Sequence, residues 1–214
     1  VCTQYSSQEV TWMYGGSVST FKIESGLNMS TELRTAYGEN DRRMDLYYSY
    51  DANRGQYYNN KPSATNDAPK SAIRMSEAYL NRAEAYVLWE NKTTEALADL
   101  NKLRRNRITG YQDVAISDPD LLLKEIRLER RLELCGEGHR WFDLRRYAVH
   151  PTFPEEKEIV HESVKNGTKI GYYRLAPYSE NSNNWVWPIP EDAVIFNDGA
   201  LVANERDGAP LVEY

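Results

Sequence analysis

Residues 119–147 read PDLLLKEIRLERRLELCGEGHRWFDLRRY, and this stretch decides the fold. Asp118 stands just before it as a helix N-cap, and Pro119 suits the first helical position. Leu121, Leu128, Leu132 and Cys135 recur at helical spacing, so a helix is expected from Pro119 to about Cys135. Gly136 and Gly138 bracket a break. A shorter helix follows from about His139 to Tyr147, with Pro151 soon after.

The charges of this stretch pose a problem. Glu125, Glu129 and Glu133 lie four apart and form an acidic stripe. Like charges at that spacing repel by a few tenths of a kcal/mol per pair. Within the helix only Arg130 with Glu133 makes a good opposite pair, so the stripe needs partners elsewhere. Arg140, Arg145 and Arg146 are nearest in sequence, which predicts an ion network across the Gly136–Gly138 break. Paired glutamates also suggest the acid and base of a glycosidase. Neighbouring arginines depress a carboxylate pKa and disfavour a general acid, so that reading ranks last.

Upstream, Met75, Tyr79, Ala83 and Tyr86 fall on one helical face within residues 71–90, and Ala78, Ala83 and Ala85 favour helix. Asn91 to Thr94 breaks the pattern, with Thr94 as a plausible N-cap. A second helix over 95–107 carries Ala96, Leu100 and Leu103 on one face, with Leu97 beside them. The pair makes an αα-hairpin of tetratricopeptide type, and only one such unit is visible. Downstream, residues 152–214 read mostly as loop. Lys169–Leu175 and Trp185–Ile189 are candidate short strands, and Pro188-Ile189-Pro190 is rigid and extended. Residues 1–70 read as irregular, rich in Ser, Thr, Asn, Gly and Tyr.

Composition narrows the function classes. Of 214 residues, 41% are hydrophobic, enough for a real core, and the net charge is −6. The basic residues are interleaved with acids, which disfavours nucleic-acid binding. No apolar run of about 18 residues would span a membrane, and no basic-then-apolar leader opens the chain. Cys2 lacks the apolar leader that lipidation requires, and Cys135 reads as a small buried hydrophobe. Glu137 beside His139 gives two candidate metal ligands, short of the three that a catalytic zinc needs. No Ser-His-Asp signature or phosphate-cradling glycine loop appears. No catalysis and no cofactor are expected.

Several segments resemble the SusD/RagB family. The first is Arg74-Met75-Ser76-Glu77-Ala78-Tyr79-Leu80 followed by Ala83-Glu84-Ala85. The second, more specific, is Glu129-Arg130-Arg131-Leu132-Glu133-Leu134, Glu137-Gly138, then Arg140-Trp141-Phe142-Asp143-Leu144-Arg145-Arg146. Leu100-Asn101-Lys102-Leu103-Arg104 with Arg107 lies between them, and Trp187-Pro188-Ile189-Pro190 with Asn197 and Asn204 follows. The resemblance covers about residues 71–214.

It implies a mainly α fold of tetratricopeptide-like helical hairpins with long loops and minor short strands. It also implies a non-enzymatic lipoprotein on the outer-membrane surface, which captures glycan, or in some members peptide, for a TonB-dependent, SusC-like transporter. The chain is about half the family's usual length and lacks its N-terminal repeats and lipid-anchor cysteine, so it is expected to be the C-terminal portion. Residues 1–70 are expected to form a loop-rich, aromatic-rich segment of the ligand face, and residues 71–214 the C-terminal helical domain.

No ligand residue transfers by motif, because the family's motifs brace the scaffold. Sugar binding wants aromatic faces against pyranose rings and polar side chains for hydroxyls. The sixteen Tyr and five Trp include three suitable clusters. The first is Tyr47, Tyr48, Tyr50, Asp51, Asn53, Arg54, Tyr57, Tyr58 and Asn59. The second is Trp12 and Tyr14, followed by Gly15-Gly16. The third is Asn181, Asn183, Asn184 and Trp185. The competing reading packs these tyrosines on scaffold helices with their hydroxyls outward.

Overall fold

The structure is a computed structural model that describes residues 10–14, 29–53, 55–59, 71–90, 92–165, 168–208 and 210–214. The elements follow the order β1 (Val10–Tyr14), α1 (Thr31–Ala36), α2 (Arg43–Tyr47), β2 (Tyr48–Asp51), β3 (Gln56–Asn59), β4 (Ser71–Arg74), α3 (Met75–Glu90), α4 (Thr93–Arg105), α5 (Pro119–Glu133), α6 (Arg140–Ala148), β5 (Ile159–Lys165), β6 (Thr168–Leu175), α7 (Glu191–Ile195) and β7 (Val212–Glu213). The fold is mainly α, as the sequence predicts. Two compact units divide between Arg140 and Trp141, so residue 70 falls inside the first.

In the first unit α3, α4 and α5 pack on one another. Leu80, Ala83 and Val87 of α3 meet Ala96, Leu100 and Leu103 of α4 and Leu122, Leu123 and Ile126 of α5 in the buried interior. The α3 face is rotated from the expected one. Ser76, Leu80, Ala83, Glu84 and Val87 point inward, while Met75 is exposed and Tyr79 and Tyr86 are half-buried. Cations explain the rotation: Arg82 lies over both tyrosine rings, Lys102 over Tyr79 and Lys92 over Tyr86. On α5 the inward residues are Leu122, Leu123, Ile126 and Leu132, whereas Leu121 faces solvent.

The caps fix the boundaries. Asp118 caps α5 by accepting from the Leu121 amide at 3.0 Å, with Pro119 in the first turn. Arg130 and Arg131 end that helix, where cations suit the dipole. Gly136 and Gly138 adopt left-handed φ values of 72° and 86°, which break the chain before α6. α4 begins at Thr93 on an uncapped Lys92, not after Thr94. Buried Asn101 holds the α4–α5 connection. Its amide donates to the Val114 carbonyl at 3.0 Å, and its carbonyl accepts from Tyr111 Oη at 2.7 Å and the Val114 amide at 3.2 Å.

The segment before residue 70 has more regular structure than expected. β1 pairs antiparallel with β4, and β2 with β3. Tyr37, Tyr47, Tyr48 and Leu132 form a second core cluster, joined by Met44, Tyr57, Leu128 and Cys135. In the second unit β5, β6 and β7 form a three-stranded antiparallel sheet. The strand expected over 169–175 is present as β6. Residues 183–185 form a single 3-10 turn in place of the strand start expected at Trp185.

Candidate functional site

The acidic stripe of α5 is the root of the site. Glu129 and Glu133 are almost fully buried and are met by arginines from three segments that the local spacing did not indicate. Arg43 donates to Glu129 at 2.6 Å and to Glu133 at 3.3 Å, and Asp41 holds its other edge at 2.6 Å. Arg74 reaches Glu133 at 2.9 Å and Glu137 at 2.8 Å. Arg107 binds Glu133 through two nitrogens, each at 2.9 Å. Arg104 bridges Glu129 at 2.7 Å and Glu125 at 2.6 Å. Arg146 of α6 pairs with Asp143 of its own helix at 3.0 Å.

Burial alone would push the Glu133 carboxyl up. The hydrogen bonds and charge of Arg107, with the charges of Arg74 and Arg43, outweigh it and hold the group well below the usual carboxylate range. A sealed carboxylate held ionised near neutral pH is poorly suited to act as a general acid. Glu137, the partner of His139 in the two-ligand reading, is engaged by Arg74.

The lattice fixes the base of an aromatic hairpin. Arg43 opens α2, and α2 runs directly into β2. Tyr48 at the start of β2 is buried, donates to Cys135 Sγ at 2.9 Å and packs edge-on against Tyr37. Tyr37 in turn donates to the Leu132 carbonyl at 2.7 Å, and burial pushes its phenol well above the ordinary range. From that anchor the hairpin runs outward. Tyr50 stands opposite Tyr57, and Ser49 opposite Tyr58. Alternation along a strand then puts Tyr50 and Tyr57 on one face and Tyr58 on the other.

The rings of Tyr50 and Tyr57 lie 4.9 Å apart at 48°. Tyr50 is 56% exposed and Tyr58 43% exposed, while Tyr57 is half-buried under the Arg34 guanidinium at 5.8 Å. Asp51 turns the tip by accepting from the Asn53 amide at 2.9 Å, and Gly55 takes the left-handed φ of 65° that the turn requires.

The structure therefore sorts the sequence candidates. Tyr50, Tyr57, Tyr58, Asp51 and Asn53 come together on the hairpin. Tyr47 and Tyr48 belong to the core, each only 6% exposed, and are not accessible to a ligand, because their rings pack with Tyr37, Leu128 and Leu132. Trp12 and Tyr14 lie in β1 opposite Ile73 and Ser71. Their side chains, that of Asn59, and all of Arg54, Gly15 and Gly16 lie outside the described residues. Arg34 was not singled out in the sequence, and nothing in its local pattern marks it.

The third cluster is structural. Trp185 is buried, stacks on Trp141 at 5.2 Å and donates to the Ala176 carbonyl at 2.7 Å. Asn181 accepts from the Asn184 amide at 3.2 Å and donates to Asp207, and Arg206 donates to the Asn184 carbonyl at 3.2 Å.

The sequence pattern of the SusD family matches residues 6–206. The chain belongs to the SusD family. A SusD superfamily protein from Bacteroides thetaiotaomicron VPI-5482 is similar at 24% identity with a TM-score of 0.59, over 83% of this chain and 38% of that one. A SusD-like carbohydrate binding protein from Bacteroides vulgatus ATCC 8482 is similar at 21% identity with a TM-score of 0.53, over 81% of this chain and 41% of that one. The chain thus spans less than half the length of these SusD-like structures, whose likeness concerns the fold. No match is found among curated proteins.

Proposed function

We propose that this SusD-family chain is part of a non-catalytic protein that captures glycans at the outer-membrane surface and hands them to a TonB-dependent, SusC-like transporter. The observation that carries this reading is the β2–β3 hairpin, which offers the rings of Tyr50 and Tyr58 on opposite faces of a rigidly based ribbon. Such rings suit the apolar faces of sugars, and the nearby Arg34, Asp51 and Asn53 suit hydroxyls. The carbohydrate-binding name of one similar SusD-like structure supports the same reading. No helix among the described residues is long and apolar enough to cross a membrane.

Aromatic contacts of this kind contribute about 0.5–1.5 kcal/mol each. Two or three give weak, reversible binding, which suits a protein that must release its cargo. The test is a glycan panel in affinity gels and calorimetry, on the parent chain and on a Tyr50→Ala/Tyr58→Ala double variant. Retention by the parent and loss in the folded variant support the reading. Cleavage of the glycan, or binding of peptides with no glycan retained, overturns it.

A further inference from the structure

We infer that the outer groove of the α3–α4 hairpin is a second site, selective for a sugar carrying a single carboxylate. The groove is open to solvent, holds about 440 Å3 and is lined by Tyr79, Arg82, Asp99, Lys102, Arg105 and Asp113 among others. That volume lies within the usual range for small-ligand sites, about 300–1,000 Å3. It is separate from the aromatic hairpin and does not depend on that hairpin's role.

The charges specify the ligand. Arg82 is bound through two nitrogens to Asp99, each at 2.7 Å, and Asp99 is itself nearly buried. Arg105 is bound in the same forked manner to Asp113. Lys102 is different: its ammonium sits over the Tyr79 ring at 4.9 Å and meets no carboxylate among the described residues. Three cations face two carboxylates, and the surplus positive charge is localised on Lys102.

A polyanion would be repelled by Asp99 and Asp113. A neutral sugar would leave Lys102 unused. A ring bearing several hydroxyls and one carboxylate fits the groove: the exposed Asp113 accepts from hydroxyls, the exposed guanidinium of Arg82, held in place by Asp99, donates to them, Lys102 takes the carboxylate and Tyr79 offers an aromatic edge or face.

The test compares galacturonic acid with its methyl ester, which keeps the ring and loses the charge, by calorimetry and amide shift mapping on the whole chain. Triglutamate serves as a charge-only control. The acid is expected to shift amides of residues 99–105 and to bind roughly tenfold more tightly than the ester, the scale of one charge-assisted contact. Lys102→Met, at a surface position, should keep the thermal melt and bring the two sugars to equal affinity. Tyr50→Ala should leave the preference intact. Equal binding of acid and ester, no binding of the acid, a preference that survives Lys102→Met, or equal binding of triglutamate would each overturn the assignment.

Discussion

Arg43 and Glu129 meet at 2.6 Å across 86 positions of sequence, and neither side chain has more than 1% of its surface exposed. This contact ties α2, and with it the hairpin that follows, to the middle of α5. Glu133, one turn further on, receives Arg43, Arg74 and Arg107 together. An ion group this deep adds little net stability relative to a well-packed apolar alternative, because desolvation offsets the attraction. Its effect is on geometry: three separate segments carry one charge each to a single carboxylate.

Removing that carboxylate should be costly. Glu133→Gln removes the carboxylate that Arg43, Arg74 and the part-buried Arg107 share, leaving Arg43 and Arg74 with fewer counter-charges, and the expected loss is about 3–5 kcal/mol of folding stability. Glu125→Gln, at a more exposed end of the network, should cost less than about 1 kcal/mol. Urea denaturation followed by circular dichroism measures both. Equal small losses would show that the lattice tolerates an unpaired arginine.

The same group sets an acid limit. The folded pKa of Glu133 lies below its ordinary value of 4.5. The ionised carboxylate therefore contributes stability that is fully present above pH 4.5 and is lost as pH falls through the folded pKa. Stability of the parent should fall on acidification from about pH 4.5. Glu133→Gln should show a flatter pH dependence over that range. Parallel curves for the two proteins would assign acid unfolding to other carboxylates.

The hairpin gives a sharper separation. Tyr50→Ala and Tyr58→Ala remove exposed rings and should change the melting temperature little, since surface substitutions usually stay within about 0.5 kcal/mol. Both should weaken glycan retention. Tyr48→Ala empties a core position and removes the bond to Cys135, so a loss of about 3–5 kcal/mol is expected by analogy with other buried aromatics. Retention in affinity gels beside thermal melts decides the matter. A Tyr58→Ala variant with full retention would restrict any binding face to the side of Tyr50 and Tyr57.

How much of this the sequence reveals depends on the range of each interaction. α5 and α6 are legible because a cap, a helical period and two glycines all act within a few residues. The acidic stripe is equally legible, but its partners are not. Arg74 lies 59 positions from Glu133 and Arg43 lies 86 from Glu129, and local spacing carries no information about such pairs. The tyrosines of residues 47–58 show the same limit. Composition marks the whole run as aromatic, yet only the α2–β2 junction and the strand register decide that Tyr47 and Tyr48 turn inward while Tyr50 and Tyr58 face solvent. Trp185 was misplaced for a related reason. Its asparagine-rich setting looks like an exposed loop, but those asparagines hold the turn that buries the ring.

Gly171 makes a local prediction in the second unit. A Cβ added there would fall on the Val212 carbonyl oxygen, well inside van der Waals contact and against backbone that cannot simply rotate away. Gly171→Ala should therefore detach β7 from β6 and leave the β5–β6 ladder, which pairs from Ile159–Leu175 to Lys165–Thr168, in place. Hydrogen exchange should quicken at Tyr214, whose amide bonds the Ile170 carbonyl. Exchange along β5 should stay unchanged. Unaltered protection at Tyr214 would mean that the strand shifts to accommodate the methyl group.

Trp185 and Trp187 both neighbour the Trp141 ring, yet they should behave in opposite ways. Trp185 is 1% exposed, stacks on Trp141 at an interplanar angle of 20° and gives its indole N–H to Ala176. Trp187 meets Trp141 only edge-on at 6.4 Å and is 67% exposed. Trp185→Ala should cost about 3–5 kcal/mol through the cavity and the abandoned carbonyl. Trp185→Phe keeps part of the stack and should recover some of that loss. Trp187→Ala should stay within about 0.5 kcal/mol. Denaturant titrations of the three variants test the order. A loss at Trp187 as large as at Trp185 would show that Trp187 carries packing energy despite its exposure, and would move the anchor of the loop from residue 185 to the Trp187-Pro188 step.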